Sequence, residues 1–242
     1  MQIDLTFKLD NFMLPKDYRK SIVSFFKETL TKYNKELYDL WYTKTTLKPF
    51  CFTVYLNNPT FEEDRIILES STLIVHIKSD ITKETIEFYN VLLLRKKEHS
   101  EFKLKNNSMH LTQIRTSVIR NYYEDEVIIK FDSPLVVRYH NQSTNKETYF
   151  TPDDKNFESM LTLNIKGNLK RLNYNLDLND FKIVPLSTKS TIIKIYNGSI
   201  KASLGTFKLI GTPELISLLN KIGLGSMRSS GFGYFRILDG KE

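Results

Sequence analysis

Hydrophobic and polar side chains alternate along QIDLTFKL, residues 2–9, the period-two pattern of a strand with one buried face. The period then lengthens. Across residues 15–33, Tyr18, Ile22, Phe25, Phe26 and Leu30 recur at close to helical spacing behind Pro15, which predicts an amphipathic helix. PFCFTVYL at 49–56 reads as a strand, and RIILES (65–70) with STLIVHIKS (71–79) as a hairpin pair. Residues 84–98 have the length and spacing of a second helix, and HLTQIRTSVIR at 110–120 supplies a last strand.

The second half follows a similar order. EVIIKFDSPLVVR (126–138) predicts a strand with a turn at Asp132–Pro134. Residues 153–173 predict a helix with Phe157, Met160, Leu161, Leu163 and Ile165 as its apolar positions and Asp153 or Asp154 as cap. DFKIVPLS (180–187), the run 191–211 and GYFRILDG (233–240) read as strands. TPELISLLNKIG is a short helix with Thr212 as N-cap, Pro213 in its first turn and Gly223 just past its end. Two rounds of roughly β-α-β-β-α-β predict an α+β protein of two tandem ferredoxin-like (RRM-like) domains. They would span residues 1–120 and 126–242, joined near Arg120–Asp125, with a single mixed domain as the alternative.

Composition adds a core and a charge. Sixteen Phe and thirteen Tyr in 242 residues argue against disorder. Lys and Arg outnumber Asp and Glu 35 to 28, for a net charge of +7, a moderate bias toward RNA, DNA or a membrane surface. The lone Cys51 cannot form an intrachain disulfide and reads as packing. No stretch approaches the roughly twenty apolar residues of a membrane span, and no signal peptide is apparent, so a cytoplasmic protein is expected.

Four of the nine glycines fall in GLGSMRSSGFG, residues 223–233. A tight helix-to-strand turn accounts for one or two of them. Gly223, Gly225, Gly231 and Gly233, interspersed with Ser226, Arg228, Ser229 and Ser230, also suit a phosphate backbone, with backbone N–H groups and hydroxyls as donors and the arginine as counter-charge. The loop follows a helix and feeds a strand, which is neither a P-loop nor a dinucleotide-binding fingerprint. Lys166, Lys170 and Arg171, at i, i+4 and i+5, add a basic helix end whose role depends on whether it adjoins this loop.

This loop resembles the glycine-rich C-terminal signature of the CRISPR repeat-RNA-processing endoribonucleases of the RAMP superfamily. FDSPLVVRYHNQSTNKETYFTPDDKNF (131–157), KPFCFTVYL (48–56) and the chain from Ile193 through the final strand resemble further family segments. The resemblance implies two ferredoxin-like domains, repeat RNA as partner, and metal-independent cutting with no cofactor. In that chemistry a ribose 2′-hydroxyl attacks the adjacent phosphate, leaving a 2′,3′-cyclic phosphate and a 5′-hydroxyl. It needs a base, an acid and cations near the developing charge.

The family often carries its catalytic histidine between the first helix and the second strand. Here that interval, KELYDLWYTKTTLKPF (35–50), has none, and offers Tyr38, Tyr42, Lys44 and Lys48 instead. Tyrosine and lysine ordinarily titrate near 10, so either needs a shift to act as a base near neutrality. His140, beside Arg138, sits where relatives often carry Arg-x-His. His76 reads as a structural strand residue, His99 as part of a charged connector, and His110 as a potential RNA contact. The resemblance thus implies an endoribonuclease, with a non-cleaving repeat-RNA binder or a structural subunit of an RNA-guided effector complex as alternatives. Effector-complex proteins and a second copy of the chain stand as further partners, and a membrane does not.

Overall fold

The computed structural model describes residues 1–44, 46–195 and 198–238. In β1 (Gln2–Leu9) the alternation holds, with Ile3, Leu5, Phe7 and Leu9 all buried. A short β2 (Met13–Pro15) precedes α1 (Tyr18–Tyr33), which turns Tyr18, Ile22, Phe25, Phe26 and Leu30 inward. Next come α2 (Lys35–Tyr38), a single π-helical turn at Asp39–Thr43, and β3 (Phe50–Leu56). Two short strands, β4 (Thr60–Phe61) and β5 (Arg65–Ile67), lead to β6 (Thr72–Ser79). The first half closes with α3 (Lys83–Lys97), β7 (Glu101–Leu104) and β8 (Asn107–Ser117).

The expected hairpin between 65–70 and 71–79 does not form. Both edges of β6 are occupied, by β1 and by β3, so β5 joins β2 and β4 in a separate three-stranded sheet. The main sheet is antiparallel, ordered β3-β6-β1-β8-β7. Phe26, Trp41, Phe50 and Phe88 interlock beneath it, with the Phe26 and Phe88 ring centroids 5.2 Å apart and those of Trp41 and Phe88 5.3 Å apart. Edge-to-face pairs of this kind add about 0.5–1.5 kcal/mol each beyond area burial. This packing anchors the chain between α1 and β3 through Trp41.

The second half runs β9 (Glu126–Phe131), the hairpin β10 (Val137–Asn141) and β11 (Lys146–Phe150), α4 (Phe157–Arg171), β12 (Lys182–Ile195), β13 (Gly198–Ile210), α5 (Pro213–Ile222) and β14 (Phe235–Ile237). A 3-10 turn at Arg228–Ser230 lies between α5 and β14. The sheet is ordered β12-β13-β9-β14. Strands β1, β3, β6 and β8 stand in the same relative order in the first sheet, so a mixed fold of antiparallel sheets and helices repeats one connectivity in two cores. At α5, Thr212 Oγ1 accepts from Leu215 N at 3.3 Å, as its sequence predicts. At α4 the expected acidic cap is not made: the helix starts at Phe157, and Asp154 instead accepts from Thr151 N. Of the expected last strand, Asp239 and Gly240 lie outside the described residues, as do Tyr196 and Asn197 of the run 191–211. Among the described residues, no helix is long and apolar enough to cross a membrane.

Candidate functional site

The glycine-rich loop is packed backbone to backbone rather than laid open. Leu224 N donates to Gly233 O at 3.0 Å, Gly233 N to Pro134 O at 2.9 Å, and Ser226 N to Val136 O at 2.7 Å. A Cβ on Gly233 would stand 1.9 Å from Leu224 O, so no other residue fits there. Gly223 has φ +78 and ψ 172, a region essentially restricted to glycine, and its Cβ would meet Cys51 Cβ at 2.7 Å. Gly225 and Gly231 are similarly enclosed, against Val136 O and the Phe52 ring.

Arg228, expected at a phosphate, is buried. Its residue is 3% exposed and Nη1 donates to Ile222 O at 2.7 Å, capping a carbonyl at the end of α5. Burial brings this guanidinium down to about 10, with Arg171 lowering it further and Cys51 opposing. Ser226 Oγ donates to Asn164 Oδ1 at 2.7 Å, while Ser229 and Ser230 remain half-buried. Arg19 on α1, which sequence reasoning did not single out, donates from Nε to Gly231 O at 3.1 Å and lies over the Phe232 ring.

One face of α4 adjoins this loop. Asn164, Asn168 and Arg171 fall within about 60° of one another on the helix, at 3.6 residues per turn. Asn164 Nδ2 donates to Arg138 O at 2.8 Å, and Asn168 Nδ2 donates to Gly225 O at 3.0 Å. Lys166 and Lys170 project roughly 100–160° away by the same geometry. They line a separate hollow beside Asn175–Asn179. The expected three-charge patch is therefore divided: Arg171 lies toward the loop and the two lysines do not.

Arg171 meets the interval that lacks the histidine. It faces Trp41, Leu47 and Pro49 across a hollow of about 250 Å³. The π-helical turn buries Trp41 and carries Tyr42 beside two lysines, with Lys48 Nζ 4.3 Å and Lys27 Nζ 5.0 Å from its ring centroid. Lys48 Nζ donates to Trp41 O at 2.8 Å. Burial, reinforced by the like charges of Lys27 and Arg171, holds the Lys48 ammonium down to about 8. Lys27 was not legible as a member, because its position on α1 gives no sign of which side chain it overhangs.

The remaining expected residues stand apart. Lys44 is exposed, and its charge acts on Asp39. His140 is exposed on β10, in register with Glu147, and Arg138 forms an ion pair with that same glutamate at 2.8 Å. His110 Nε2 lies 3.0 Å from Asp10 Oδ1, and with Glu101 these residues bring three metal-ligand-type atoms within 4.8 Å of one another. They lie toward the β7 edge of the sheet, remote from β3.

Solved structures share the fold. One described as "An RAMP protein binding different RNA substrates" superposes with a TM-score of 0.84 at 21% identity, over 99% of this chain and 100% of its own. A Cas6-related protein from Pyrococcus furiosus gives 0.85 at 19% identity, covering 100% and 99%. A structure described as "CRISPR associated protein Cas6" gives 0.76 at 21% identity, covering 99% of each chain. No curated protein matches the sequence. The family model for the C-terminal part of CRISPR-associated protein Cas6 matches residues 114–237, which contain β9 through β14 and the whole glycine-rich loop. With just over half its length matched by that model, the chain belongs to the Cas6 family.

Proposed function

We propose that this protein binds CRISPR repeat RNA and cuts it without a metal, by attack of a 2′-hydroxyl on the adjacent phosphate, with Lys48 as the general base. Its two halves, 1–120 and 126–242, are read as tandem ferredoxin-like domains, consistent with the repeated strand order. The observation that carries the reading is Lys48, brought down to about 8 between Lys27 and Arg171, in the interval where relatives often carry a histidine. A neutral Lys48 takes the 2′-hydroxyl proton. Arg171 and Lys27 offset charge developing on the phosphate. Tyr42 keeps the ammonium stem over its ring. The 5′-oxygen leaves and takes a proton from solvent, giving a 2′,3′-cyclic phosphate and a 5′-hydroxyl.

The family membership, the RNA named for a similar structure and the net charge of +7 support RNA as the substrate class. The absence of histidine from residues 35–50 favours a second reading, a repeat-RNA binder that does not cut. Labelled repeat RNA, incubated with protein in excess EDTA, separates them. A cut that a 2′-deoxy nucleotide just upstream of the scissile bond abolishes, and that Lys48→Ala protein also loses, supports the nuclease. Tight binding without a cut supports the binder. Neither binding nor cutting refutes both.

A further inference from the structure

The sheet face turned away from α1 and α3 carries a polar row that the reading above leaves unused. Thr53, His76, Asp4 and Arg115 are direct cross-strand neighbours on β3, β6, β1 and β8. His76 Nδ1 lies 2.8 Å from Asp4 Oδ1, and Gln2 Nε2 donates to the same oxygen at 2.9 Å. Burial raises the Asp4 carboxyl, but the bonds from His76 and Gln2 outweigh it and hold it below the usual range. An ionised carboxylate only accepts, so Nδ1 carries the hydrogen, and in the neutral imidazole Nε2 has the lone pair. Among the described residues, Nε2 holds no partner.

His76 lines a cleft of about 650 Å³ between the two sheets. Across it stand Asp132, Tyr234 and Arg236, with Arg236 Nε 3.4 Å from Asp132 Oδ1. Lys78, on the same face as His76, is 7% exposed and fixed in place: Nζ donates to Asn220 Oδ1 at 2.7 Å and to Phe235 O at 2.8 Å. Burial lowers its hold on a proton, with Cys51 and Asp132 opposing, and it forms part of the cleft floor. Tyr55, 54% exposed on β3, offers an open ring at the rim. A base with a second group orienting it, cations close by and a cleft to admit a strand together form the constellation that acid–base chemistry requires.

We propose that this cleft is a second catalytic centre acting on single-stranded RNA, with His76 as general base and Asp4 as its positioning residue. The proposal rests on RNA being the partner, as argued above, but not on Lys48. In the step, His76 Nε2 removes the proton from a 2′-hydroxyl, O2′ bonds to the adjacent phosphorus, and the P–O5′ bond breaks. The 5′-oxygen leaves with the bonding pair and takes a proton from water; the imidazolium then returns its proton to the hydroxide formed. Arg236, exposed at the cleft, stabilises the charge on the pentacoordinate phosphorus. The two centres lie on opposite sides of the first sheet, since Lys27 belongs to α1, which packs on the other face.

Lys48→Ala removes the first centre and exposes the second. Single-stranded RNA oligonucleotides in excess EDTA, with 2′-deoxy substitutions scanned along the strand, are cut by Lys48→Ala protein at a linkage that one such substitution protects. Adding His76→Gln lowers that single-turnover rate about 100-fold or more, the usual contribution of a general base, while RNA affinity stays within about threefold. Asp4→Asn lowers the rate with affinity unchanged, because the amide holds the wrong tautomer. Unchanged affinity also reports that both variants fold. If Lys48→Ala protein binds RNA but cuts nowhere, or cuts as fast after His76→Gln, the second centre is refuted while the first reading stands. Loss of RNA binding by the unaltered protein refutes both.

Discussion

Lys48→Arg separates the two roles a cation can have in this site. The substitution keeps a positive charge on a similar stem and removes the base, because a guanidinium keeps its proton at the pH of the assay. With the ammonium at about 8 rather than the ordinary 10.5, roughly one Lys48 in ten is neutral at pH 7. At the ordinary value it would be about one in 3,000, so burial and like charge supply a roughly 300-fold larger pool of base. The single-turnover rate of cleavage in EDTA should therefore rise about tenfold per pH unit between 6 and 7, then bend near 8. Hydroxide catalysis alone would continue to climb.

At the linkage that the Lys48 centre cuts, Lys48→Arg should lose about 100-fold or more at pH 7, within the usual range for a positioned base. Arg171→Gln removes one of the like charges that hold Lys48 down, so its bend should move to higher pH. The rate above the bend should fall as well, because a phosphate-facing cation is lost. Lys48→Arg protein cutting at the unaltered rate would refute the base assignment and leave Lys48 as an electrostatic stabiliser. A pH profile without a bend near 8 would refute the origin assigned to it.

Three further outcomes follow from the loop and its supports. Gly223→Ala places a Cβ in a glycine-only backbone region and against Cys51, and should lower unfolding stability by about 2–4 kcal/mol in a urea titration. Asn164→Ala strips bonds to Arg138 O, Arg138 N and Ser226 Oγ, which at about 1 kcal/mol each should cost about 2–3 kcal/mol in the same measurement. In RNA-binding titrations against salt, Arg171→Gln should reduce the log–log slope by about 0.7–1, whereas Arg228→Met should leave it unchanged because that guanidinium is buried. Equal slope changes for both arginines would place Arg228 at the RNA.

Where apolar periodicity is strong, the chain declares its elements. The stripe of Tyr18, Ile22, Phe25, Phe26 and Leu30 defines α1, and Thr212–Pro213 marks the start of α5. Pairing is less legible, because adjacency in sequence carries no information on which strand edges are already filled. That is why β5 leaves β6 for β2 and β4. The π-helical turn at Asp39–Thr43 has no periodic signature either, and it is fixed by where Trp41 finds its aromatic neighbours.

The glycine-rich loop shows how one composition can suit two different arrangements. Glycine, serine and arginine together suit a phosphate, but they also suit a chain pressed against another backbone, and here the apolar members decide. Leu224 and Phe232 are fully buried, so the segment between them cannot lie open to solvent along its length. Its hydrogen bonds go to Pro134, Val136 and Asn164, which tie α5, the start of β10 and α4 into one frame. That frame holds Arg171 opposite Trp41 and Lys48. A lysine in the interval 35–50 is visible in the sequence, but its lowered affinity for a proton is not. Desolvation, Lys27 on α1 and Arg171 on α4 bring it about, and the folded loop is bonded to α4 through Asn164 and Asn168. The loop therefore acts on the site at one remove: alanine at Gly223 should move the pH at which cleavage bends as well as lower stability, whereas a loop that merely contacted RNA would change affinity and leave the bend where it was.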